Sequence, residues 1–412
     1  MIIKDYIKSF EKLGFGMFVH FGTYSVLGKG EWSKFMHRIP DKEYEELAKD
    51  FCPNENWAKD LVKSAKKAGC KYITLTTRHH DGFSLYDTCG LNDYDAPHFC
   101  GRDLVREFVD ACNENAIIPF FYHTLLDWRE ESYNTDFPKY LEYLRASVEL
   151  LCKNYGKIGG FWFDGMWNKW DANWEEDALY SLIRSYQGDT MIINNTGLNR
   201  RGQIGHIELD SVTFERGRPS PINQEGAPKY LASEMCQTFG SHWGYAKNDL
   251  HYKSLATLIE DLCVCRKYGS NFLLNVGPRA DGSLRVLDRA TLETLGEWVE
   301  LFDEAIRAPR PSGISVDGGE KDFILKGEDG AYYLFVHSVS IKGDPNVADR
   351  ITPCAPRSFT LDNKVKKVFW LDNMEDLEFS QESSMVSVLP SRYDYGSDLV
   401  VRVAKIITEK CL

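Results

Sequence analysis

No segment of this 412-residue chain is long and apolar enough to cross a membrane as a helix; the longest apolar runs, such as 117–122, have the length of a strand. Positive charge is also scarce. Against 61 Asp and Glu there are 49 Lys and Arg, a net charge of −12. The basic face that counterion release from nucleic acid requires is therefore not expected, and the same sign disfavours an anionic membrane surface. The opening residues Met1-Ile2-Ile3-Lys4-Asp5 are not followed by an apolar signal core, so the sequence as it stands predicts no export. The eleven cysteines are odd in number and include no Cys-x-x-Cys pair. They are expected to be reduced, structural thiols in a reducing, cytoplasmic compartment, with Cys112 and Cys152 on helices and Cys236 in a strand.

Three signatures of chemistry are missing as well. No Gly-x-Gly-x-x-Gly follows a strand, which removes the best support for a dinucleotide fold. No Gly-x-Ser-x-Gly elbow marks a serine hydrolase. There is neither His-Glu-x-x-His nor His-x-His. His79 and His80 are adjacent, and successive side chains of a strand point to opposite faces, so the pair is not expected to chelate one ion without a bulge. Neither a metal nor an organic cofactor is expected.

What is present is alternation. Apolar strand-like runs at 16–22, 71–80, 117–124, 158–165, 191–195, 211–215, 234–239 and 271–277 are separated mostly by segments of helical period. In 57–68, for example, apolar residues stand at 57, 58, 61, 62, 65 and 68, and Gly69 offers a C-terminal cap. Near-continuous apolar strands indicate burial on both faces and a parallel sheet. Eight such units in about 300 residues predict a (β/α)8 barrel, an α/β fold. After Pro309-Arg310-Pro311 the helices stop and short strands with Gly, Asp and Asn turns continue. The expected organisation is a barrel over 1–311 and a small antiparallel β-sandwich over 312–412.

In such a barrel, chemistry belongs at the C-terminal ends of the strands. Those ends carry His20, His79 and His80, Tyr122 and His123, Asp164, Asn194 and Asn195, Glu215 and Asn275. Together they predict a polar pocket for a small, hydroxyl-rich ligand. Asp164 ends the apolar run Phe161-Trp162-Phe163, where a carboxylate is costly to bury without a purpose. Glu215 ends Ser211-Val212-Thr213-Phe214 in the same way. Two carboxylates on one barrel face can flank a single bond, as glycoside hydrolysis needs. Glu31-Trp32 lies in a Gly-flanked loop after the first strand, and Trp167 and Trp243 lie near other strand ends. An aromatic plane suits the apolar face of a sugar, and His, Glu and Asn suit its hydroxyls.

The motifs Gly16-Met17-Phe18-Val19-His20-Phe21-Gly22, Glu31-Trp32, Arg78-His79-His80-Asp81-Gly82-Phe83, Trp162-Phe163-Asp164-Gly165, Trp243-Gly244-Tyr245 and Asn271-Phe272-Leu273-Leu274-Asn275-Val276-Gly277-Pro278, in that order, resemble the α-L-fucosidases of glycoside hydrolase family 29. The resemblance runs from about residue 10 to 300. It implies a retaining exo-glycosidase that acts on terminal α-L-fucosides of oligosaccharides or glycoconjugates, without metal or organic cofactor. It places Asp164 as nucleophile and Glu215 as acid/base. It places His20, Glu31, Trp32, His79, His80 and Tyr122 around the sugar, with Trp243 and, more weakly, Glu234 nearby. Two departures stand out. Asn194-Asn195-Thr196 occupies a place where some members carry an arginine, and His123 stands where many carry a small residue, which is expected to reshape the pocket. Two rival readings remain at this point: a sugar-binding protein that has lost catalysis, and a glycosidase specific for a galactoside.

Overall fold

The computed structural model describes residues 3–195, 204–222, 224, 229–347 and 353–411. Eight strands form a closed barrel in chain order: β1 (Phe15–Val19), β2 (Tyr72–Arg78), β3 (Ile118–Thr124), β4 (Gly160–Asp164), β5 (Met191–Asn194), β6 (Ser211–Glu215), β7 (Ala232–Thr238) and β8 (Asn271–Val276). The recorded pairings are parallel, and β1 bonds to β8 as well as to β2. Each expected strand is present, with ends shifted by up to three residues.

The helices follow from their periodicity and caps. Trp57–Lys67 buries Trp57, Ala58, Leu61, Val62 and Ala65 on one face. It stops at Gly69, whose φ of +83° suits glycine. The N–H of Cys70 bonds to the Ala65 carbonyl and that of Gly69 to the Lys66 carbonyl, which satisfies the last turn. Leu104–Glu114, Phe137–Asn154 and Leu255–Lys267 are capped by Asp103, Asp136 and Ser254, each accepting from a backbone N–H three residues on. Among the described residues, no helix separates β5 from β6 or β6 from β7.

The two-residue repeat of the strands sorts the barrel's side chains. Phe18, Tyr72, Phe120, Tyr122, Trp162, Ile193, Ala232, Cys236 and Leu273 share one interior cluster. Their intervening neighbours face the helices, as Phe121 does in packing against Tyr155. Two residues on from Phe18, Trp162, Ile193 and Leu273 come His20, Asp164, Asn195 and Asn275. The same parity therefore aims one set of polar side chains inward at the C-terminal ends.

By compactness the chain divides into two units. One comprises Met1–Gly217, Ile222–Lys253 and Phe272–Glu293; the other comprises Arg218–Pro221, Ser254–Asn271 and Thr294–Leu412. The second unit holds two antiparallel sheets. The larger has the order β13 (Val365–Trp370), β16 (Val401–Thr408), β11 (Tyr332–His337), β10 (Phe323–Lys326), β9 (Arg310–Pro311); the smaller has the order β12 (Arg357–Thr360), β15 (Met385–Leu389), β14 (Glu378–Glu382). Their apolar faces meet in a core that includes Leu334, Trp370, Val386, Val388 and Ile406. In β15 the exposed Met385 and Leu389 bracket the buried Val386 and Val388, the alternation of a strand with one wet face. All eleven cysteines are free thiols. Among the described residues, no helix is long and apolar enough to cross a membrane.

Candidate active site

A cavity of about 180 Å³ opens at the C-terminal ends of the barrel strands, lined in part by His20, Trp32, His79, His80, Tyr122 and Asp164, with Asn195, Glu215 and Trp243 completing its polar wall. Asp164 is the last residue of β4. Gly165 follows with φ +99°, and a Cβ there would lie 2.8 Å from the Leu126 backbone nitrogen, so only glycine lets the chain turn away so closely behind the carboxylate. Asp164 Oδ2 accepts a hydrogen bond from the Tyr122 hydroxyl at 3.1 Å and lies 3.5 Å from His80 Nε2. Asp164 Oδ1 accepts from Asn195 Nδ2 at 3.1 Å and from Trp167 Nε1 at 3.4 Å.

Glu215 ends β6, and its Oε2 accepts from the same Asn195 Nδ2 at 2.7 Å. The two carboxylate oxygens are therefore no farther apart than these two bonds laid end to end. That proximity is compatible with the roughly 5–5.5 Å of a retaining pair. Asn195 is held in turn by the Thr213 hydroxyl, which donates to its Oδ1 at 3.0 Å. Past Glu215 the chain bends through Arg216 at φ +51°, and the Arg216 guanidinium lies over the Trp243 ring at 4.9 Å.

The histidines are buried and held neutral. Asn275 donates from Nδ2 to the Trp243 carbonyl at 2.7 Å, so its Oδ1, 2.6 Å from His20 Nδ1, faces that ring as acceptor. His20 therefore carries its proton on Nδ1 and keeps an acceptor lone pair on Nε2. Burial pushes its pKa down to about 3, against the hydrogen bond that Nδ1–H donates to Asn275. The Thr124 hydroxyl donates to the Leu126 carbonyl and lies 2.7 Å from His80 Nδ1, which gives His80 the same tautomer. Burial lowers the pKa of His80, and nearby Asp164 opposes the shift. His79 stacks on Tyr122 at 5.5 Å, its Nδ1 is buried without a protein partner, and burial with its two histidine neighbours drives its pKa well down.

A sequence profile described as Alpha-L-fucosidase matches residues 4–304. Tissue alpha-L-fucosidase of Mus musculus is 30% identical over 338 residues, 73% of this chain and 71% of the mouse protein. The chain belongs to the α-L-fucosidase family. It is thus placed among glycoside hydrolases. In the alpha-L-fucosidase isoenzyme 1 structure from Paenibacillus thiaminolyticus, 27% identical, the fold superposes with a TM-score of 0.80 over 98% of this chain and 99% of the other. An alpha-L-fucosidase structure from Bacteroides thetaiotaomicron, 23% identical, shares the fold with a TM-score of 0.83 over 99% and 96%.

Within this fucosidase-family site, three residues expected around the sugar lie off the cavity wall. Glu31 is buried, and its Oε2 accepts the backbone N–H groups of Trp243 at 3.1 Å and Gly244 at 2.7 Å; it fixes the loop that carries Trp243. Burial raises its pKa, opposed by the Gly244 N–H. His123 has the wrong strand parity and faces the helix Phe137–Asn154, with Nδ1–H donating to the Thr124 carbonyl and Nε2 2.7 Å from the Ser147 hydroxyl. It does not reshape the pocket. Glu234 has inward parity but sits one layer below Cys236, buried, bonded by the Tyr72 hydroxyl and by Trp162 Nε1 at 3.0 Å.

At His79 and His80 strand alternation no longer applies. The strand ends at Arg78, after a register shift between Thr76 and Arg78, and both rings, 4.3 Å apart, face the cavity. Among the described residues, no group of three His, Cys, Asp or Glu is arranged to hold a metal ion. Of Asn194-Asn195-Thr196, Asn194 points outward to the Tyr180 hydroxyl at 3.2 Å, Asn195 points inward, and Thr196 lies outside the described residues. Phe18, Trp162 and Cys236 also line the cavity. The two-residue step from His20, Asp164 and Glu234 would have found them in the sequence.

Proposed function

We propose that this chain is a retaining exo-α-L-fucosidase in which Asp164 is the nucleophile and Glu215 the acid/base. The observation that carries the reading is the single Asn195 nitrogen bonded to both carboxylates. It keeps them close together, which supports a double displacement. An ionised Asp164 attacks the anomeric carbon as the glycosidic C–O bond breaks, and the leaving oxygen keeps the bonding electrons and takes the proton of Glu215. A water then gives a proton to Glu215 and attacks the same carbon, which frees Asp164 and releases fucose with its configuration retained.

The donors on Asp164 from Tyr122, Asn195 and Trp167 fix the orientation of the carboxylate for attack. The Nε2 lone pairs of His20 and His80 are acceptors for sugar hydroxyls. The apolar walls from Phe18, Trp162 and Trp243 suit the methyl group of fucose, where the hydroxymethyl of a galactoside would lack a partner. A pocket of about 180 Å³, the dimensions of one sugar, supports attack on a terminal residue of a fucosylated oligosaccharide. The free thiols suit a reducing, cytoplasmic setting.

Trapping tests the assignment. Incubation with 2-deoxy-2-fluoro-α-L-fucosyl fluoride followed by peptide mass spectrometry should find one fluorofucosyl group on Asp164. The first sugar released from an α-fucoside, followed by NMR, should be the α-anomer. A label on another residue, or initial release of the β-anomer, overturns the reading.

A further inference from the structure

Four aromatic rings form a strip that leads from the pocket toward solvent. Trp167 stacks on Trp32 with centroids 5.9 Å apart and planes at 28°. Trp32 meets Trp128 edge-on at 5.1 Å. Trp128 stacks with Phe35 at 6.0 Å and 21°. The strip begins beside the reacting groups: Trp167 Nε1 lies 3.4 Å from Asp164 Oδ1, the oxygen that Asn195 also holds while it holds Glu215. It ends in open solvent, where Phe35 is 61% and Met36 70% exposed, and Trp167 itself is 45% exposed. Contiguous apolar side chains left wet in this way mark a binding surface.

We propose that this strip is a second subsite, which binds the aglycone of the fucoside as an oligosaccharide stacked by its apolar faces on Trp167, Trp128 and Phe35. The proposal rests on the fucosidase reading. Continuity identifies the occupant. Trp167 and Asn195 share one oxygen of Asp164, so Trp167 stands on the side where the group leaving toward Glu215 emerges, and the next rings lie outward along its path. All four rings are uncharged, so the strip suits a neutral glycan, whose C–H faces stack on aromatic planes. The strip favours aglycones of more than one sugar ring, because Phe35, packed on Trp32 at 5.6 Å and on Trp128 at 6.0 Å, lies beyond the rings that line the cavity.

The test compares two substrates. α-L-Fucosyl fluoride has no aglycone to stack; a neutral tetrasaccharide ending in α-L-fucose has three further rings. Phe35→Ala should lower kcat/KM on the tetrasaccharide by about three- to tenfold, chiefly through KM, the effect of one lost aromatic stacking partner. On the fluoride it should stay within about twofold of the unaltered protein. Phe35→Tyr should restore the tetrasaccharide value, and Phe35→Leu, apolar but not planar, should not. Equal losses on both substrates, or no loss on the tetrasaccharide, overturn the subsite. If the unaltered protein fails to turn over the fluoride, the fucosidase reading itself falls and the subsite falls with it.

Discussion

Asn195 holds Glu215 by a 2.7 Å hydrogen bond from its Nδ2, and the same nitrogen reaches Asp164 Oδ1 at 3.1 Å. An amide NH₂ has two hydrogens, so each carboxylate can receive one. Thr213 fixes which end of the amide faces them by donating to Oδ1. Asn195→Ala removes both bonds and leaves two acids close together with no donor between them. Hydrogen bonds to charged groups contribute about 1.5–3 kcal/mol each, so kcat/KM on α-fucosides should fall by at least about tenfold. Thr213→Val keeps the amide but frees it to rotate, and should give a smaller loss in the same direction. Asn195→Asp, which adds a third carboxylate, should be worse than Asn195→Ala. Steady-state kinetics of the three variants check this order. Activity close to that of the unaltered protein in Asn195→Ala would remove the bridge from the mechanism.

Asp164→Gly should abolish nearly all turnover while the protein stays folded. The side chain sits at a strand end on a cavity wall, partly exposed, so its loss leaves no sealed apolar void of the kind that destabilises a core. Azide or formate should restore part of the rate on activated aryl fucosides by entering the vacated space and attacking in place of the carboxylate. The product should be the β-fucosyl adduct, identified by NMR. A thermal unfolding curve close to that of the unaltered protein shows that the loss is chemical. Undiminished turnover by Asp164→Gly would rule out the nucleophile assignment.

Much of this site is legible in the sequence because strand periodicity is local. Apolar runs locate all eight strands, and a polar residue at a run's end marks the functional rim. Parity then separates Asn195 from Asn194 and excludes His123, a step that needs only the phase of Phe120 and Tyr122. The sequence misleads where the strand stops being a strand: beyond Arg78 the alternation no longer governs His79 and His80. It is silent where partners lie far apart in the chain. Glu31 and Gly244 meet only through barrel closure, so no local pattern separates a loop clamp from a sugar ligand. The short helices Tyr24–Leu27, Ser33–Met36 and Ser132–Thr135 are too brief to show a helical period. Hence the aromatic strip, built partly on one of them, appears only in the fold.

Acid should destabilise the protein through its buried histidines. Burial lowers the pKa of His20 and of His123 to about 3, and drives His79 and His80 down as well. The unfolded chain takes up these protons near pH 6.5, whereas the folded chain does not until much lower pH. The stabilisation is therefore full above about pH 6.5 and is lost as pH falls toward 3, at roughly 2 kcal/mol by pH 5 for each of His20 and His123. Glu234 works in the opposite sense. Burial raises its pKa to about 7, against its hydrogen bonds from Tyr72 and Trp162. Its contribution is full below about pH 4.5 and is lost as pH rises through 7, so it offsets about one histidine over that window. Glu234→Gln should therefore steepen the acid limb of a Tm-versus-pH curve by about one proton. Parallel curves for the two proteins from pH 4.5 to 7.5 would rule out this titration.

Glu215 matters in proportion to how much the leaving group needs a proton. A sugar hydroxyl is a poor leaving group and must be protonated as the bond breaks; a nitrophenolate departs largely unaided. Glu215→Ala should therefore lose on the order of 10²–10⁴-fold on a natural fucosyl linkage, the usual range for general acid catalysis. In the first chemical step on a nitrophenyl fucoside the loss should be far smaller. The second step still needs a base for water, so the fucosyl-enzyme should accumulate and a burst of nitrophenol should precede slow turnover. Azide, which needs no base, should relieve that slow step and give the α-fucosyl azide, the anomer opposite to that from Asp164→Gly. The two variants thus separate the roles by stereochemistry as well as by rate. Equal losses on both leaving groups, or a β-azide from Glu215→Ala, would take the acid/base role from Glu215. Glu31 and Glu234 are poor successors, since both carboxyl groups lie off the cavity wall, Glu31 bonded to the backbone of the loop carrying Trp243 and Glu234 beneath Cys236.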